Sequence, residues 1–187
     1  LQSRIFILNI PLSNKEISFG KIYAMKKYAF LFFVCFISKA GFTQTDSSLI
    51  YLRFPTIPPF SIIKVPDSTR FNKDDLAKKK ATLIFIFSPD CDHCQAETKL
   101  LIANINLFKK VQIIMASPLE YKPIKQCYED YKIAAYPNII MGRDPSYFFG
   151  TFYKVRSFPA IFLYDKKGDF VKAFDGSVPV TQIAAYL

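Results

Sequence analysis

The sequence has a single histidine, His93, and no tryptophan among its 187 residues. Without a second histidine, a copper chaperone site of the CxxxC type, which needs a distant histidine ligand, is excluded. Haem attachment requires a histidine directly after the second cysteine of a CxxC motif, and this sequence has Gln95 there. A zinc site needs about four ligands, and the adjacent His93 and Cys94 are difficult to direct at one ion. We therefore predict no bound metal and no haem.

Acidic residues are also few, with 15 Asp and Glu against 25 Lys and Arg, a formal net charge of +10. The basic residues form no stripe with interleaved aromatic residues, and no nucleic-acid-binding module signature is present. The short Lys78-Lys79-Lys80 run is interpreted as a solvated loop. The composition predicts no nucleic-acid partner, and the length favours one well-buried core over two full domains.

The beginning of the sequence has the pattern of an export signal. Met25 and two lysines precede ten apolar residues at 28–37, and a polar stretch follows. This arrangement predicts a secretory signal peptide at 25–44, and a membrane contact is expected only if that segment is uncleaved. Residues 1–24 precede the first methionine and are interpreted as an over-extended gene model. We expect a linker at 45–56, one folded domain at 57–187, and a periplasmic or other extracytoplasmic location.

Cysteine is scarce, with four residues in the whole chain. Cys35 lies inside the apolar run of the predicted signal peptide, which leaves Cys91, Cys94 and Cys127. An odd number with two members in a CxxC motif does not indicate a disulfide framework. It predicts one reactive pair and one separate thiol in an oxidising compartment. Core packing is the favoured interpretation of Cys127, and a resolving or mixed-disulfide role is the alternative.

Hydrophobic patterning predicts strands that alternate with helices and end in a hairpin. Continuous apolar runs at 81–87 and 111–116 are typical of strands buried on both faces. A helix is expected after Cys91. Its apolar stripe is predicted to contain Ala96, Leu100, Ala103 and Leu107, and to be widened by Leu101 and Ile105. Hairpins are expected at 60–71 and 160–174, with an extended segment within 45–60. The predicted fold class is an α/β sandwich with a central mixed sheet flanked by helices.

The Cys91-Asp92-His93-Cys94 dithiol falls between a buried strand and a helix. The thiolate is the form that attacks a disulfide, and a helix N-terminus favours a negative charge through its free N–H groups and its dipole. A protonated His93 would stabilise the Cys91 thiolate, whereas Asp90 and Asp92 would oppose it. These three residues are therefore expected to tune the dithiol. Solvated or helix-capping roles are their alternatives.

Two segments, FSPDCDHCQ at 87–95 and YKVRSFPAIFLYDKKG at 153–168, resemble the two halves of a thioredoxin-like active site. The layout is similar to the secreted TlpA-like branch of thiol–disulfide oxidoreductases, related to the alkyl hydroperoxide reductase and thiol-specific antioxidant group. The resemblance covers 57–187 and implies a thioredoxin-like three-layer sandwich. It implies that Pro159 is a cis-proline facing the dithiol and binding extended substrate, with Phe158 as a further substrate contact. A proline that opens an edge strand is the alternative for Pro159.

The sequence departs from thioredoxin itself at two positions. The buried carboxylate that thioredoxin places six residues before its first cysteine is replaced by Phe85, and the usual tryptophan directly before that cysteine is replaced by Asp90. Both changes argue against a general cytoplasmic thioredoxin.

The predicted function is exchange of disulfides with protein substrates outside the cytoplasm. Cys91 is expected to attack and Cys94 to resolve, with no cofactor beyond their redox-active disulfide. Expected partners are protein thiols or disulfides and an electron donor or acceptor. The alternatives are a non-catalytic binding module with the same fold and a peroxide-reducing thiol enzyme. Ser88 and Pro89 do not match the usual peroxidatic spacing.

Overall fold

The computed structural model describes residues 49–187, so the predictions for 1–24 and 25–44 lie outside the described residues. Within 49–187 there are five α-helices and seven strands. The helices are α1 (Ile50–Arg53), α2 (Asp92–Ala103), α3 (Tyr121–Asp130), α4 (Phe148–Tyr153) and α5 (Val180–Ala184). The strands are β1 (Ser61–Lys64), β2 (Arg70–Asn72), β3 (Ala81–Ile86), β4 (Val111–Ser117), β5 (Ile139–Arg143), β6 (Ala160–Tyr164) and β7 (Phe170–Asp175). None of these helices has the length and apolar character that a membrane span requires.

All seven strands form one mixed sheet in the order β2-β1-β5-β4-β3-β6-β7. The central strand β3 pairs in parallel with β4 and antiparallel with β6. Every residue of β3 is buried, as its continuous apolar sequence predicted. The two predicted hairpins are present as the antiparallel pairs β1–β2 and β6–β7. The sheet therefore has the mixed character that the sequence predicted.

Apolar clusters cover both faces of the sheet, because successive residues of β3 point in opposite directions. Leu83 and Phe85 belong to one cluster, together with core residues of α2, α3 and α5. Ile84 and Ile86 belong to the second cluster, with residues of α4 and with the partly buried Tyr51 of α1. Helices thus cover the sheet on both sides, and the predicted three-layer α/β sandwich is confirmed.

Part of the segment expected to be a linker, 45–56, is helical and packed. Helix α1 carries Tyr51, whose ring centroid lies 5.4 Å from that of Phe162 and 5.3 Å from that of Phe170. The predicted extended segment follows, because the Phe170 amide donates to the Pro55 carbonyl and the Ile57 amide donates to Gly168. Tilted and edge-to-face aromatic contacts with the sheet hold residues that their non-periodic sequence assigned to a linker.

The predicted apolar stripe of α2 was wrong at its four central positions, whereas Leu101, which was expected to widen it, is buried. Ala96, Leu100, Ala103 and Leu107 are all exposed, with Leu100 and Leu107 each at 49%. The buried face of α2 carries Leu101 together with Cys94, Glu97 and Thr98. The polar members are accommodated by hydrogen bonds, since the Thr98 hydroxyl donates to the Cys94 carbonyl at 2.8 Å. Apolar periodicity therefore misplaced the centre of the buried face and identified only Leu101 at its border.

Candidate active site

The dithiol lies where the chain leaves the central strand and enters α2. Cys91 is the N-cap residue, with an extended backbone, and its Sγ accepts the Cys94 amide N–H at 3.3 Å. The side-chain amide of Gln95 donates to the Pro89 carbonyl at 2.9 Å and so holds the connecting loop against the first helical turn. The first sulfur is thus aligned with free N–H groups at the positive end of the helix dipole.

The two active-site thiols have different environments. Cys91 is partly exposed, whereas Cys94 is only 1% exposed, and both are free thiols. Burial raises the pKa of Cys94 to about 12, and the hydrogen bond and charge of Cys91 act in the same direction. The arrangement therefore presents one accessible sulfur to a partner and keeps the second protonated behind it.

The loop before β6 lies against the first sulfur. The Cys91 thiol donates to the Phe158 carbonyl at 3.7 Å, and the Phe158–Pro159 peptide bond is cis, the geometry that the resemblance implied. The register of β3 and β6 explains the contact, because Ile86 pairs with Ala160. Four of the predicted site residues, Cys91, Cys94, Phe158 and Pro159, therefore meet at one end of the sheet.

The three residues expected to tune the dithiol lie on its solvent side. Asp90, Asp92 and His93 are all exposed. The His93 backbone carbonyl accepts the Ser177 hydroxyl at 3.4 Å, which ties the loop before α5 to the start of α2. Within residues 49–187 no three His, Cys, Asp or Glu side chains are grouped so that they could hold a metal ion.

Cys127 lies in the core on α3, as the sequence predicted, and is 8% exposed. Burial, followed by the nearby charge of Asp130, raises its pKa to about 11. It belongs to the same apolar cluster as Cys94. This third thiol is therefore neutral at physiological pH.

Glu97 is a candidate site residue that sequence reasoning missed. Its side chain is 2% exposed, and within the described residues its Oε1 has no hydrogen-bond partner. Burial raises the pKa of Glu97, while a hydrogen bond from the Val178 amide opposes the rise. Residues three apart on a helix are neighbours, with Cβ atoms about 5–6 Å apart, so Glu97 lies one turn beyond Cys94. The signal available in the sequence was this spacing from a cysteine that has to be buried.

A sequence profile of the thioredoxin-like domain family matches residues 73–187, more than half of the chain. The chain belongs to the thioredoxin-like family. The profile match begins after β2, whereas the resemblance identified from the motifs began at residue 57. A search of the curated proteins gives no match to this thioredoxin-like chain.

Solved structures show the same fold. A secreted Mycobacterium tuberculosis disulfide oxidoreductase is 16% identical with a TM-score of 0.58, over 69% of this chain and 96% of its own. The thioredoxin domain of a Bacteroides vulgatus thiol–disulfide oxidoreductase is 22% identical with a TM-score of 0.57, over 71% of this chain and 96% of its own. An exposed lipoprotein thioredoxin of Streptococcus pneumoniae is 21% identical with a TM-score of 0.54, over 70% of this chain and 100% of its own. Thiol–disulfide oxidoreductases are thus among the structural neighbours of this thioredoxin-like chain.

Proposed function

We propose that this chain is an exported thiol–disulfide oxidoreductase that exchanges disulfides with protein substrates. The observation that carries the proposal is the asymmetric dithiol. Cys91 is partly exposed at the N-terminus of α2, and Cys94 is buried behind it. One sulfur is accessible for intermolecular attack, and the other is reserved for the intramolecular step.

In the first step the Cys91 thiolate attacks one sulfur of a substrate disulfide. A bond forms between Cys91 and that sulfur, the substrate disulfide breaks, and the second substrate sulfur leaves as a thiolate. The Cys94 amide N–H that points at the Cys91 sulfur stabilises its negative charge before the attack. Pro159 and Phe158 shape the groove in which the substrate backbone lies beside this sulfur.

In the second step Cys94 attacks Cys91. The Cys94 thiol must first lose its proton, and burial disfavours that loss by raising its pKa to about 12. Glu97 is the buried carboxylate on the same helix face, and we propose that it accepts this proton. The Cys94 sulfur then bonds to Cys91 and the bound substrate sulfur leaves as a thiolate. The enzyme now holds a disulfide, and the substrate has gained two electrons.

The same steps in reverse oxidise a substrate dithiol, so an electron donor or acceptor must restore the starting state. The dithiol itself carries the two electrons, and no further cofactor is part of the proposal. His93, Asp90 and Asp92 are proposed to tune the balance between the two states from the solvent side. All three lie within two residues of Cys91 in the sequence, and a nearby charge changes the stability of a thiolate.

Export is proposed from the pattern at 25–44, a charged start followed by an apolar run and a polar exit. Structural neighbours include a secreted Mycobacterium tuberculosis disulfide oxidoreductase and an exposed pneumococcal lipoprotein thioredoxin. A location in the periplasm or another extracytoplasmic compartment is consistent with a reactive dithiol and a protected third cysteine. We also place the chain in the TlpA-like branch, on the segments FSPDCDHCQ at 87–95 and YKVRSFPAIFLYDKKG at 153–168.

Insulin-disulfide reduction with the wild type and three cysteine variants tests the function. Cys91→Ala is expected to abolish turnover, because no nucleophile remains. Cys94→Ala is expected to stop at the mixed disulfide, which mass spectrometry detects as a covalent adduct. Cys127→Ala, the matched control, is expected to keep the wild-type rate. Wild-type turnover by the Cys91 variant would refute the assignment.

A further inference from the structure

The end of the sheet opposite the dithiol contains a cavity of about 450 Å³. The dithiol follows the last residue of β3, whereas this cavity lies around its first residues. A strand of six residues spans about 20 Å, so the cavity and the dithiol are separated by the length of β3. The cavity is outside the site described above.

Strand register assembles the lining of the cavity from distant parts of the sequence. Thr82 near the start of β3 pairs with Tyr164 at the end of β6, and also with Gln112 of β4. The loop that precedes β3 and the turn that follows β6 therefore meet at this edge. Six lysines line the cavity: Lys73, Lys78, Lys79, Lys80, Lys166 and Lys167.

Both lysine-bearing loops are fixed by hydrogen bonds. The buried Gln112 side chain accepts the Ala77 amide at 2.8 Å and donates to the Ala77 carbonyl at 3.2 Å, which holds the chain directly before Lys78. On the other side, the Asp165 carboxylate accepts the backbone amides of Lys167 at 2.7 Å and Asp169 at 3.0 Å. The positive charges are therefore gathered on anchored backbone.

Four acidic residues flank this cavity in the sequence: Asp74, Asp75, Asp165 and Asp169. Its lining includes no acidic residue. Within residues 49–187 none of the six lysines forms a salt bridge, although Asp165 lies close enough to Lys167 for its carboxylate to be affected by that charge. Like charges held together repel one another, and a bound anion would remove that repulsion.

From this geometry we infer that the cavity binds a phosphate-bearing polyanion, either a soluble one or the headgroup of an anionic lipid. Lysine ammonium groups bind phosphate as mobile point charges, and six of them match a ligand with several negative charges. The Gln112 amide is already hydrogen-bonded to Ala77 and to the Thr82 hydroxyl, so the lysines supply the groups that contact the ligand. A ligand held there leaves the dithiol at the far end of β3 free to react.

Calorimetry of the full chain with tripolyphosphate at low ionic strength tests the site, and vesicle sedimentation separates the two ligand sources. Vesicles of phosphatidylglycerol are compared with vesicles of phosphatidylcholine. K78Q/K166Q removes two charges from the cavity, and K99Q/K122Q removes two exposed charges from α2 and α3 as the matched control. Thermal unfolding without ligand verifies that each variant is folded.

The wild type is expected to bind tripolyphosphate saturably. K78Q/K166Q is expected to bind tripolyphosphate at least about tenfold more weakly, because each lysine next to an anionic group adds to the affinity. K99Q/K122Q is expected to bind close to the wild-type level, because neither lysine lines the cavity. Sedimentation with phosphatidylglycerol vesicles that tripolyphosphate reverses would identify the lipid headgroup as the source. Tripolyphosphate binding without vesicle binding would identify a soluble ligand. Equal weakening in both double variants, or no binding of either probe by the wild type, would overturn the inference.

Discussion

Alkylation of the three thiols in the folded domain is expected to be strongly unequal. The thiolate is the reactive form. With a pKa of about 12 in place of the ordinary 9.0, the Cys94 thiolate fraction at about pH 8 falls from roughly 10⁻¹ to roughly 10⁻⁴. For Cys127, whose pKa is about 11, the fraction falls to roughly 10⁻³. Reduced access to the reagent lowers both rates further, since both side chains are buried.

The assay is a time course of iodoacetamide labelling, with each cysteine peptide quantified by mass spectrometry. Cys91 is expected to label first, Cys127 at least about 100-fold and Cys94 at least about 1000-fold more slowly than an exposed ordinary thiol. In concentrated urea all three thiols should react at similar rates, because unfolding removes the burial that separates them. This comparison uses the same peptides and therefore controls for their detection.

The Cys91→Ala variant isolates the physical cause. Burial is the largest contribution to the raised pKa of Cys94, ahead of its interaction with Cys91. Cys94 should therefore remain slow in this variant, with only a partial increase in rate. Labelling of Cys94 in the folded wild type within tenfold of Cys91 would refute the reasoning, and with it the division of labour between the two sulfurs.

Three further results are expected. Glu97→Gln should slow closure of the active-site disulfide roughly 10²-fold. The wild-type rate should fall as pH decreases through the raised pKa of this carboxylate, and the variant should lack that decrease. An unchanged pH profile in rapid-mixing kinetics would contradict the proton-acceptor role. In urea unfolding, Leu101→Ala should cost about 2–5 kcal/mol, whereas Leu100→Ala, at a 49% exposed position, should cost about 0.5 kcal/mol or less. Equal costs would contradict the assignment of Leu101 to the buried face of α2. Gly142→Ala should cost about 1–3 kcal/mol because its Cβ would lie 2.6 Å from a backbone oxygen of β1. Gly150→Ala should cost less, because its Cβ would meet the ring of Tyr147, which is exposed and can rotate away. A larger loss of stability at Gly150 than at Gly142 would contradict this expectation.

The sheet was predictable from the sequence because its strands carry their own signals. The apolar run of β3 and the turn between β6 and β7 identify those elements locally, and alternation with helices then limits the topology. Four of the residues predicted for the site lie together at one end of the sheet. Cys91 and Cys94 form one short motif, and Phe158–Pro159 stands directly before a strand. The resemblance to a family supplied the pairing of these two distant segments, which spacing alone does not give.

Glu97 and the lysine-lined cavity were missed for a shared reason, since both depend on tertiary contacts. Glu97 is buried because α2 turns its polar face toward the loop that holds Val178, and apolar periodicity assigns such a residue to solvent. Lys78 is exposed outside any helix or strand, as its interpretation as part of a solvated loop requires, but nothing local indicates that Lys166 lies across the same cavity. In both cases strand register and loop packing decide the environment.

The two edge strands of the sheet affect how copies of this protein interact at high concentration. One edge strand is β2, which is only three residues long and exposes Arg70 and Asn72. At the other, backbone groups at the beginning of β7 are occupied by Pro55–Ile57, and β7 itself exposes Lys172. Short, charged or covered edge strands offer a poor template for pairing with a strand of another molecule. A domain made largely of apolar strands is thereby protected from intermolecular sheet growth and fibril formation.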